Sequence, residues 1–178
     1  MAGSAGTGYL VQNGAMSTTA PIAGVTTSAT LFTMLQIVPS ANTPLRIREW
    51  GVSFNGSALA TPFQCELVET GAVGATVTAF AVADIMPYDD ANDPAQSGTT
   101  TTSVPLNIST TLSGFTSSGE GSSTANRVFD GQWVEPIGGY WKQFPLGDRP
   151  KIKPGNVLRI RVHGDGTTKV TCYIRFEV

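Results

Sequence analysis

The chain has 178 residues, 40% of them apolar and only 13% charged, with a formal net charge of −2. That length suffices for a full hydrophobic core, and the charge gives no electrostatic case for partnership with nucleic acid or a membrane surface. Ser and Thr make up roughly a fifth of the chain while Lys, Glu and Gln are scarce, which favours strands over helices because stiff β-branched side chains fit a pleated surface.

Residues 1–27 are small, neutral and rich in Gly, Ala and Thr, with one apolar patch at Tyr9, Leu10 and Val11. They read as an extended N-terminal arm with at most one short strand, ordering mainly on assembly. The folded domain is expected over 28–178. The stretch 29–38, ATLFTMLQIV, is apolar on both faces, as a buried strand should be. In 45–55, LRIREWGVSFN, Leu45 and Ile47 share one phase and Trp50, Val52 and Phe54 the other. A period-2 strand cannot change faces without an extra residue, so a bulge is predicted near Glu49 and Trp50. Residues 63–70 alternate, with Phe63, Cys65 and Leu67 on one side and Gln64 and Glu66 on the other; 75–82 reads as a further strand.

From Asp84 to Glu120 the pattern decays into an acidic, proline-bearing loop and a Thr-rich tract. A strand is expected over 104–112, Phe115 is its candidate anchor, and 117–123 reads as a flexible loop. Regularity returns at 127–135 and 140–144. The connection 145–154 is punctuated by proline, and 157–162 directs Leu158, Ile160 and Val162 inward with Arg159 and Arg161 outward. The final stretch, 170–178, alternates most cleanly, Val170, Cys172, Ile174 and Phe176 against Thr171, Tyr173, Arg175 and Glu177. Eight or nine short strands with turn punctuation predict an all-β, antiparallel β-sandwich, jelly-roll-like, carrying the N-terminal arm.

The charges are unevenly placed. No Asp, Glu, Lys or Arg precedes Arg46, none lies between Asp93 and Glu120, and all four lysines fall in the last quarter. Such neutral stretches are expected to pack against neighbours or lie over another subunit. The start MAGSAGTGYL has no basic, apolar leader, and no apolar run reaches the roughly 18–20 residues of a membrane span. Cys65 and Cys172 each sit on an apolar stripe and read as a reduced, buried pair; a disulfide would need their strands adjacent.

No constellation for catalysis emerges, and no cofactor or metal is implied. The single histidine, His163, sits before Gly164-Asp165-Gly166, which reads as a hairpin turn, with no nucleophile indicated beside it. Glu66 and Glu69 lie on opposite phases of one strand. Glu49 and Glu66 could approach across neighbouring strands, against the simpler expectation of surface ion pairs with Arg46 or Arg48. The acidic loop with Asp84, Asp89, Asp90 and Asp93 offers hard oxygen ligands for calcium but lacks EF-hand spacing. Trp50, Trp133, Tyr140 and Trp141 are the candidate core or interface anchors, the last three also conceivable as a sugar platform.

Two segments carry a resemblance. The first is RIREWGVSFNGSALATPFQCELVE, residues 46–69. The second is residues 133–178, above all WVEPIGGYWKQFPLGDRPKIKPGNVLRIRV and the closing VTCYIRFEV. Together they resemble a pattern common in small virion-associated proteins of tailed actinobacterial phages, in order and with similar spacing over under half of the chain. The resemblance implies a non-enzymatic structural protein that is made in the host cytoplasm and decorates the capsid surface of the virion. Its partners would be the major capsid protein and further copies of itself, naturally as trimers at local threefold points. Tyr9, Leu10 and Val11 would be the capsid-contacting part of the arm. The rival reading is a tail- or fibre-associated sandwich that binds host-surface carbohydrate; a glycan-active enzyme would need two convergent carboxylates.

Overall fold

The computed structural model describes residues 7–15, 20–88, 104–121 and 124–178. The chain forms two sheets. One runs β10 (Gly139–Gln143), β4 (Leu45–Phe54), β13 (Lys169–Glu177), β1 (Gly8–Gln12), β7 (Met86–Pro87), with β11 (Lys151–Ile152) also on β4 and β2 (Val25–Thr26) on β13. The other runs β6 (Thr76–Ala79), β8 (Gly114–Gly119), β3 (Phe32–Ile37), β12 (Leu158–His163), β5 (Phe63–Glu69), β9 (Arg127–Val134). Every ladder between these strands is antiparallel. The sheets pack face to face over one core that includes Trp50, Phe176, Met34, Leu67 and Ile160, so the protein is the antiparallel β-sandwich that its alternation predicts.

The strand order defines the sandwich further. Without the short additions, one sheet is β1-β13-β4-β10 and the other β3-β12-β5-β9. Consecutive strands of this set alternate between the sheets except β5 and β9, which lie side by side. That is the eight-stranded jelly roll. Residues 70–126, between β5 and β9, are an insertion. It adds β8 and β6 beyond β3 in one sheet and β7 beyond β1 in the other, joined by a 3-10 turn at Val82–Asp84.

The clearest sequence signals fall on the inner strands. Along β13, Val170, Cys172, Ile174 and Phe176 are buried in alternation. In β4 the phase change is accommodated as predicted: the ladder pairs Arg175 with Glu49 but Phe176 with Ile47, leaving Arg48 as the extra residue of a bulge. Leu45 and Ile47 before it and Trp50, Val52 and Phe54 after it thereby all reach the core.

Three expectations are corrected and one is sharpened: the short strand allowed within the N-terminal segment is Gly8–Gln12, paired between β13 and β7. Tyr9 and Val11 are buried, and the Tyr9 ring stacks on Phe176 at 5.5 Å. The strand expected over 104–112 is reduced to isolated bridges, Pro39 with Leu106 and Ile108 with Ser113, and the strand lies later, at Gly114–Gly119. The turn after His163 is no hairpin, because it carries the chain from β12 in one sheet to β13 in the other. Finally, Arg159 and Arg161 do point away from the core, yet both are buried. The insertion covers Arg159, which donates to the carbonyls of Val73 (2.6 Å) and Glu120 (3.0 Å), while Arg161 pairs with Glu66 of the neighbouring strand β5 at 2.6 Å.

Candidate functional site

Where β9 ends one sheet and β10 ends the other, a turn at 135–138 joins them and closes one side of the sandwich. The inward side chains of these strands meet at Asp130, which is buried. Its Oδ2 accepts hydrogen bonds from Trp50 Nε1 (3.1 Å) and the Tyr140 hydroxyl (2.9 Å). Its Oδ1 accepts from Gln132 Nε2 (3.2 Å) and the Gly131 amide (3.0 Å), with Lys142 Nζ at 3.3 Å. Burial works to raise the Asp130 pKa, but the bonds from Gln132, Tyr140 and Lys142 and the lysine charge outweigh it, so the carboxyl titrates below its ordinary range. Burial and the bond to Asp130 push the Tyr140 phenol up to about 12. Tyr140 also meets Trp50 edge-on at 5.6 Å. This cluster latches the two sheets together.

The alternate residues of the same strands face outward. Trp133 is 69% exposed, Trp141 65% and Ile137, in the turn, 58%. Trp133 lies on the outer face of its sheet, paired across β5 with Gln64. Trp141 lies on the outer face of the other, and antiparallel register places it in a row across four strands: Trp141 on β10, Gly51 on β4, Tyr173 on β13 and Gln12 on β1. Gly51 is needed there, since a Cβ would come within 2.6 Å of the Tyr173 ring. The Tyr173 ring therefore lies over Gly51, and Trp141 and Tyr173 both line a hollow of about 370 Å³ that Ser53, Gly139 and Thr171 also border.

Both neighbouring rows are polar. On one side Ser53 and Thr171 share a hydroxyl–hydroxyl bond of 2.6 Å. On the other, Glu49 accepts the Tyr173 hydroxyl and lies 3.6 Å from Arg175. Burial and the bond to Glu49 both raise the Tyr173 pKa. A second hollow of about 190 Å³, lined by Arg48, Glu49, Tyr88, Gln143 and Arg175, adjoins this end.

The residues singled out in the sequence thus separate. Trp50 is core and Tyr140 belongs to the latch, whereas Trp133 and Trp141 stand in solvent on opposite faces. Tyr9 and Val11 are core rather than contact residues, and only Leu10 of that patch points outward, next to Arg175. Glu49 and Glu66 do not approach, because they occupy the outer faces of different sheets, and their partners are Arg175 and Arg161 rather than Arg46 or Arg48. Glu69 pairs instead with Arg127 and accepts from Asn156. His163 is exposed at the end of β12, its Nε2 2.9 Å from the Ala29 carbonyl. Cys65 and Cys172 are free and buried. Asp84 is buried and accepts the Ala81 amide at 2.7 Å; Asp89, Asp90 and Asp93 lie outside the described residues. Among the described residues no three His, Cys, Asp or Glu side chains are grouped to hold a metal ion, and no helix is long and apolar enough to cross a membrane.

What the sequence reading missed is the row itself. Tyr173, Gly51 and Gln12 carry no motif and become neighbours of Trp141 only through register. Fold and site together define a jelly-roll sandwich with aromatic surfaces turned to solvent. Comparison with family models, with curated proteins and with solved structures gives no match to this chain.

Proposed function

We propose that this protein is a structural, non-catalytic component of a tailed bacteriophage virion that decorates the outside of the head. The observation that carries the proposal is the exposure of Trp133 and Ile137 beside a core already complete within the chain. Exposed large aromatic and aliphatic side chains are what a partner surface desolvates, and tryptophan is strongly enriched at the energetic centres of interfaces. The jelly roll suits such a role, since the fold recurs in viral capsid domains, although it hosts other functions as well.

The placement of the phage-like segments adds support. Residues 46–69 and 133–178 contribute β4, β5, β10, β12 and β13, most of the jelly roll, whereas the insertion at 70–126 falls outside them. Attachment at many equivalent sites would add up through multivalency and clamp the capsid lattice. Its partners are accordingly the major capsid protein and further copies of this chain.

The test is co-sedimentation of the purified protein with particles of the encoding phage that lack it. Trp133→Ser combined with Ile137→Ser should leave the fold intact, because both side chains are exposed, and reduce bound protein at least about tenfold. Undiminished binding by the double variant, or none by the parent, contradicts the proposal.

A further inference from the structure

We propose that the outer face of the β10-β4-β13-β1 sheet is a saccharide-binding site, with one pyranose ring seated between Trp141 and Tyr173. This inference does not depend on where the protein sits in a particle. A pyranose presents a flat patch of C–H bonds bounded by hydroxyls. Recognition therefore needs an accessible aromatic ring and, around it, polar atoms already fixed in place.

The face supplies both. Trp141 offers its indole to solvent, and the Tyr173 ring lies over Gly51 on the neighbouring strand, which brings it towards Trp141 and leaves both rings lining one hollow. The hollow of about 370 Å³ falls at the lower end of small-molecule sites, roughly 300–1,000 Å³. Around it, Ser53 and Thr171 present hydroxyls on one side and Gln12 an amide beyond Tyr173. In the next row Glu49 accepts the Tyr173 hydroxyl and lies 3.6 Å from Arg175, and this acceptor and donor line the adjoining hollow. The adjoining polar hollow of about 190 Å³ continues in that direction and extends the site towards a second sugar unit.

Mixed chemistry distinguishes this face from the flank at Trp133 and Ile137. A subunit interface centres on contiguous apolar surface and leaves charge at its rim, whereas here hydroxyl and amide groups line the aromatic hollow and a carboxylate and guanidinium line the one beside it. Among the described residues Glu66, on the outer face of the other sheet, does not face Glu49, and what is proposed is binding.

The experiment is a tryptophan-fluorescence titration of the full chain with cellopentaose, maltopentaose, chitopentaose and mannopentaose, repeated on Trp141→Ala and Trp133→Ala. At least one of the four saccharides is expected to bind saturably to the parent. Trp141→Ala should weaken that binding at least about tenfold, while Trp133→Ala, equally exposed but on the opposite face, should leave it within about twofold. Both variants remove exposed side chains, and far-UV circular dichroism verifies that they fold. The inference is overturned if none of the four saturates below about 10 mM, or if the two variants lose binding equally. It is also overturned if iodide fails to quench Trp141 in the unliganded protein, which would mean that another copy already covers the face.

Discussion

Truncating the side chains of β1 tests whether the N-terminal segment is part of the sandwich or an appendage to it. Val11 is fully buried and Tyr9 nearly so, between β13 and β7, with the Tyr9 ring on Phe176. Val11→Ala removes two methyl groups at about 0.8 kcal/mol each plus a cavity cost, about 2–3 kcal/mol in total. Tyr9→Ala empties a large aromatic site, and comparable substitutions cost about 3–5 kcal/mol. Leu10 points the other way and is half-buried, so Leu10→Ala should cost no more than about 1 kcal/mol. The alternation of large, small and large effects over three consecutive residues is the signature of a strand. Urea denaturation measures it, with the midpoint falling at unchanged slope, and melting should follow at about 2–4 °C per kcal/mol. Domains of this size are stable by about 5–15 kcal/mol, so deletion of residues 1–12 should leave the protein unfolded or aggregated, with β13 losing a neighbour. If all three alanine variants stay within about 0.5 kcal/mol of the parent, as surface substitutions do, the strand assignment is refuted.

Two further predictions concern the polar clusters. Asp130→Asn should destabilise the protein by about 2 kcal/mol at neutral pH, because donors from Trp50, Tyr140 and Lys142 lose a carboxylate acceptor. The Asp130 pKa is lower folded than unfolded, so its contribution is fully present above the unfolded value of about 3.9 and fades as pH falls through the folded one. The gap between parent and variant should close in acid, and a pH-independent gap would contradict the assignment. Arg159→Met should speed hydrogen exchange in 70–75 and 114–121, since the guanidinium ties the Val73 and Glu120 carbonyls to β12; protection lost evenly across the whole chain would argue against so local a role.

The sequence displayed its structure wherever one strand had a wet face and a dry one. β13 alternates over nine residues, and the phase change in β4 disclosed even its bulge. β1 is only five residues long within a neutral segment, too short for alternation to stand out, and its burial comes from partners distant in the chain. β8, GFTSSG, has a loop's composition and becomes a strand only because β3 and β6 lie on either side of it. Arg159 and Arg161 looked solvated because nothing in their own strand reveals the insertion that covers the first or the cross-strand Glu66 that pairs with the second. Trp141 could be suspected from its residue type, but its relation to Gly51 and Tyr173 depends on cross-strand register, which a linear sequence does not display.

The proposed place of the protein in the shell of a virion is tested most directly by its copy number relative to the major capsid protein in purified particles. Quantitative mass spectrometry of the particles should return a ratio near one to one or a simple fraction of it, as expected for a protein repeated over a symmetric lattice. A handful of copies per particle would contradict the head-decoration reading in favour of a tail or single-vertex position, and absence from the particles would contradict the structural role altogether.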